Sequence, residues 1–65
     1  MSVGDKLKKL RLKKELTQCQ LAEILQIDRS TICKYEKGYC EPTLDSLRKF
    51  SRYFGVDYNY LLGES

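Results

Sequence analysis

The sequence predicts an all-α fold of five short helices. Three observations predict it. Apolar residues recur at helical spacing between the helix breakers, residues suited to N-caps stand ahead of these runs, and no segment alternates with period two over any length. The breakers are Gly4, Gly38, Pro42, Gly55 and Gly63, and Pro42 is the single proline.

Segment one spans 3–14, with Val3, Leu7 and Leu10 at i, i+4 and i+7, lysines between them, and Ser2 and Asp5 as a capping pair. Segment two spans 18–25. Thr17 with Gln20 three residues on makes an S/T-x-x-Q capping box, and Leu21, Ala22 and Leu25 form the apolar face. Segment three, 29–37, opens after Asp28 as N-cap and stops at Gly38. Segment four, 44–54, follows Thr43 as N-cap and carries Leu44, Leu47, Phe50 and Phe54 at helical period. Segment five, 58–62, is one or two turns capped by Asp57 and holds Tyr58, Tyr60, Leu61 and Leu62, with Tyr60 and Leu61 as its core residues. Only Gln26 and Ile27 separate Leu25 from Asp28. A turn this short stops segment three from folding back along segment two, which is the helix-turn-helix geometry.

Sixty-five residues make one domain, 1–65, with no repeat, linker or low-complexity stretch; no ligand domain is expected after segment five. A chain this short buries only about 60% of its unfolded surface, so a catalytic cavity with a lid is hard to fit. The net charge is +3 and unevenly spread. Residues 1–14 hold six cations (Lys6, Lys8, Lys9, Arg11, Lys13, Lys14) against Asp5, a local +5, and the remainder holds six cations and eight anions, or −2. A basic end points to a polyanionic partner or to an ordinary solvated helix face. The three cysteines, Cys19, Cys33 and Cys40, form no C-x-x-C pair, and there is no histidine, so a zinc site lacks ligands. The odd count reads as reduced thiols in a cytoplasmic protein. The lysine-rich start is not followed by the apolar run of a signal peptide, and no stretch approaches a membrane span of about 20 apolar residues. Without histidine, a plausible carboxylate pair, a metal constellation or a Gly-rich phosphate loop, no enzyme, cofactor or small-molecule ligand is expected.

Segment three divides by face. With Ile32 at the centre of the inward side and about 100° per residue, Tyr35 falls about 60° away and packs beside it. Ser30 and Lys34 point outward, Lys37 and Cys33 occupy one shoulder, Thr31 occupies the other, and Arg29 reaches out from the first turn. Glu36 falls only about 40° from Ile32, where an unpaired carboxylate is costly. Arg11, beside Leu10 on the inward side of segment one, is its expected partner in a bidentate, fold-locking ion pair. The outward set of cations and hydroxyls suits the base edges of a DNA major groove; it is also what an ordinary surface helix carries.

Leu10-Arg11, Thr17-Gln18, Leu21-Ala22, Ser30-Thr31-Ile32, Glu36, Gly38, Pro42, Leu44, Leu47 and the ending Gly55-Val56-Asp57-x-x-Tyr60-Leu61-Leu62 stand in an order and spacing that resemble the lambda-repressor/Cro type of DNA-binding domain, the XRE helix-turn-helix family, over residues 4–63. The resemblance implies a transcriptional regulator, with repressor as the first choice, that binds double-stranded DNA. Segment three would lie in the major groove with Arg29, Ser30 and Lys34 facing bases. Thr17, Gln18, Thr31, Lys37 and Tyr39 would face the DNA backbone, and Arg11–Glu36 would be the family's buried pair. Two copies would bind a pseudo-palindromic operator, with Val56, Tyr58 and Leu62 as the surface for a homodimer. This chain departs from the pattern at Cys33 and Cys40, whose oxidation would block binding if the thiols are exposed, and at Glu41, an anion in a loop expected near phosphates. The rival reading is a protein-interaction module on the same fold, an antitoxin or adaptor whose basic first helix meets an acidic partner.

Overall fold

The computed structural model describes residues 2–63; Met1, Glu64 and Ser65, within the single domain expected over 1–65, lie outside the described residues. Five helices follow one another: α1 (Val3–Lys13), α2 (Gln18–Leu25), α3 (Arg29–Lys37), α4 (Leu44–Phe54) and α5 (Tyr58–Leu62). Each expected helix is present, with α1 one residue shorter than its apolar pattern suggested.

Side chains start four of the five helices. Ser2 Oγ accepts from the Asp5 N–H at 3.2 Å and the Asp5 carboxylate accepts from the Ser2 N–H at 3.4 Å. Thr17 and Gln20 make the same reciprocal box at 3.1 and 2.9 Å. Thr43 and Asp57 cap α4 and α5 through the N–H groups of Ser46 and Tyr60. Asp28 occupies the N-cap of α3, but its side chain makes no capping bond. The donor it would meet, the Thr31 N–H, already bonds to the Asp28 carbonyl at 3.0 Å in a tight first turn. The turn between α2 and α3 passes through Gln26 in the left-handed region, φ 56°, with the Ile27 N–H returning to the Ala22 carbonyl at 3.0 Å.

The core joins Leu7, Leu21, Leu25, Ile32, Phe50 and Leu61, with the Tyr35 ring edge-on to Phe50. Tyr35 is buried and its hydroxyl bonds to Ser46 Oγ at 3.0 Å. Three sequence expectations need correction. Leu44 is 63% exposed. It stands one turn beyond the core end of α4, and the inward position nearby is taken by Ser46, which meets the Tyr35 hydroxyl instead. Tyr60 lies at the surface because α5 is short and Leu61 alone takes its inward position. The Tyr60 ring sits under the Lys6 ammonium at 4.8 Å, while the same ammonium donates to the Tyr60 carbonyl at 2.7 Å. Gly4 does not break α1 but lies in its first turn, where a Cβ would collide with the Tyr35 carbonyl oxygen of α3. Its missing side chain lets α1 and α3 approach closely.

Candidate nucleic-acid interface

α3 is anchored on α1 and α2 by Ile32 and Tyr35, 1% and 5% exposed. The opposite face carries Arg29, Ser30 and Lys34, all exposed. Thr31 and Cys33 are half-buried on its two shoulders. Among the described residues Arg29, Lys34 and Lys37 make no ion pair, so their donors stay available. Lys34 and Lys37 stand in the last turn of α3, where the helix dipole favours cations. Past the left-handed Gly38, Tyr39 is exposed and the Lys37 ammonium lies 6.0 Å from its ring centre.

The expected Arg11–Glu36 pair is formed, with side chains 9% and 3% exposed. Arg11 Nε donates to Glu36 Oε2 at 2.7 Å and Nη2 to Oε1 at 3.0 Å, the bidentate arrangement. Nη1 donates to the Leu16 carbonyl at 2.7 Å, so the same side chain holds the loop leading into α2. Sequence reasoning missed the second partner of the carboxylate: Gln18 Nε2 donates to Glu36 Oε1 at 3.1 Å. This bond places the N-terminus of α2 beside the last turn of α3. The α2 capping box uses the N–H groups of Thr17 and Gln20. Those of Gln18 and Cys19, in the first turn, have no acceptor among the described residues. Free N–H groups at a helix start are an anion site in waiting.

The outer face of α3 and the start of α2, joined by the Gln18–Glu36 bond, lie side by side as one surface. Arg29, Ser30 and Lys34 make its ridge, and Thr17 and Gln18 lie on the α2 side at the end nearest Lys37. At the other end Arg29 borders a groove between α2 and α3 that Cys19 also lines. All its charged donors are cationic, with hydroxyls and amide groups between them. Such a surface can hydrogen-bond phosphates and the acceptors of guanine and thymine.

A family model described as helix-turn-helix matches residues 7–61. The chain belongs to the XRE-type helix-turn-helix family. It is similar to the HTH-type transcriptional regulator ImmR of Bacillus subtilis, 41% identical over 64 residues that cover 98% of this chain and 50% of ImmR. It is also similar to the immunity repressor protein of Bacillus phage phi105, at 33% identity over 98% of this chain and 44% of that one. An uncharacterized HTH-type transcriptional regulator of Methanocaldococcus jannaschii is 42% identical over 80% of this chain and 79% of its own length. The chain thus spans about half the length of most of the curated relatives it matches. Among solved structures, the P22 c2 repressor in complex with a synthetic operator shares the fold with a TM-score of 0.91 at 22% identity, covering 100% of this chain and 98% of that one.

The far side of the domain is different. Tyr58 and Leu62 are 40% and 46% exposed, whereas Val56 is half-buried against the core. Among the described residues no helix is long and apolar enough to cross a membrane. Among the described residues no group of His, Cys, Asp and Glu could hold a metal ion.

Proposed function

We propose that this chain is the DNA-binding domain of a transcriptional regulator, a repressor in the first instance. It binds double-stranded DNA with α3 in the major groove. Arg29, Ser30 and Lys34 meet base edges. Thr17, Gln18, Thr31, Lys37 and Tyr39 meet the sugar-phosphate backbone, and the free N–H groups opening α2 receive a phosphate. The observation that carries this reading is the unpaired, exposed donor face of α3 on a helix-turn-helix whose opposite face is locked into the core. The relatives named as transcriptional regulators support it. Two copies, meeting through Tyr58 and Leu62 with the edge of Val56, bind a pseudo-palindromic site with recognition helices about 34 Å apart.

Selection of bound duplexes from a random pool tests this directly. The expected product is a half-site repeated with two-fold symmetry at about one helical turn, bound with an affinity that falls steeply with salt. Failure to enrich any sequence, together with capture of a protein in place of DNA, would favour an interaction module instead.

A further inference from the structure

Glu36 is held from two directions. Arg11 takes both of its oxygens in parallel, which is already complete as a buried pair. The bond from Gln18 is additional, and it reaches from the buried pair to the first residue of α2, next to the unpaired N–H groups of Gln18 and Cys19. A carboxylate accepts hydrogen bonds and cannot donate them. The Gln18 amide must therefore turn its nitrogen, not its carbonyl, toward Glu36. One N–H of that nitrogen is used and the other has no partner among the described residues. Without Glu36 the amide would lose its anchor, free to flip and to swing through rotamers that carry its N–H groups away from an approaching anion.

The geometry points to a second role for the Arg11–Glu36 pair: it is a positioning device that presents the free amide N–H of Gln18 to a DNA phosphate. The inference rests on the DNA-binding reading above. The pair thereby sets affinity for all sequences alike, while α3 sets the choice among them. Arg11 contributes on both sides, since it orients Glu36 and also anchors the Leu16 carbonyl just ahead of the α2 cap.

A double-mutant cycle on DNA affinity tests it, using one selected and one unrelated duplex. Arg11→Met with Glu36→Leu replaces the buried pair by apolar side chains, a change buried pairs commonly tolerate, and circular dichroism reports whether the variant is folded. Gln18→Ala alone should weaken both duplexes about tenfold, the scale of one hydrogen bond to a charged group. The folded double variant should be weakened by the same factor, and adding Gln18→Ala to it should change affinity less than about twofold. The slope of affinity against salt should not move, because Gln18 is uncharged. A full tenfold loss on adding Gln18→Ala to the double variant overturns the proposal, as does an unaffected Gln18→Ala in a protein that still binds DNA. A wild-type protein that binds neither duplex would instead sink the functional reading. If the double variant does not fold, the side-chain amide order parameter of Gln18 in the free wild-type protein decides. A value approaching that of rigid backbone, about 0.85, supports the proposal, and one no higher than that measured for the exposed Gln26 amide refutes it.

Discussion

Replacing Glu36 by Ala tests how the fold is locked. Arg11 would keep its bond to the Leu16 carbonyl but lose both bonds to the carboxylate, at a site where its side chain is only 9% exposed. Breaking a buried pair from one side costs about 3–5 kcal/mol, because the remaining charge is stranded. At about 0.05–0.15 kcal/mol per residue, a domain of this length holds roughly 3–10 kcal/mol in total. The variant should therefore lose between about a third and all of its stability. Urea denaturation followed by helical circular dichroism measures this, with Arg11→Met/Glu36→Leu as the companion. The companion removes both charges together and should stay within about 1–2 kcal/mol of the wild type. A loss below about 1 kcal/mol for Glu36→Ala would refute the reasoning, since the guanidinium would then have found water or another acceptor. So would equal destabilisation by the two variants, which would mean that shape rather than stranded charge sets the cost.

Three further outcomes are expected. Lys34→Ala and Arg29→Ala should each cost about 1–3 kcal/mol in binding the selected site and relax preference at one base position; a competition gel shift checks this, and unchanged preference removes the residue from the base-contact set. Gly4→Ala should destabilise the domain by about 1–3 kcal/mol despite the better helix propensity of Ala, because the new Cβ meets backbone oxygen on α3; a rise in the urea midpoint would show that the two helices are not so tightly apposed. Gln26→Gly should raise stability by about 0.5 kcal/mol, since relief of a left-handed residue, about 1–2 kcal/mol, exceeds the entropy cost of glycine, and a lowered thermal midpoint would contradict it.

Local chemistry made most of the fold legible. Ser2 with Asp5, Thr17 with Gln20, Thr43 and Asp57 form their caps through neighbours three residues away, so spacing alone identifies them. The two-residue link before Asp28 dictated the sharp turn, and the helical period assigned Ile32 and Tyr35 inward and Ser30 and Lys34 outward. The pairing of Glu36 with Arg11 was also accessible, because a carboxylate on an inward face demands a cation and few were placed to supply one.

What the sequence could not express were choices made between elements distant along the chain. Leu44 has the right period for the core yet lies past its edge, and Ser46 is buried because the Tyr35 hydroxyl needs a partner. Tyr60 was displaced by Leu61, since one short helix offers one inward position. Gly4 carried a hint, a glycine tolerated inside a helix, but the backbone it admits is more than thirty positions away. The bond from Gln18 to Glu36 depends on how α2 packs across α3. Periodicity and capping act over a few residues and are written in order; a close approach or a shared carboxylate exists only once the helices are packed.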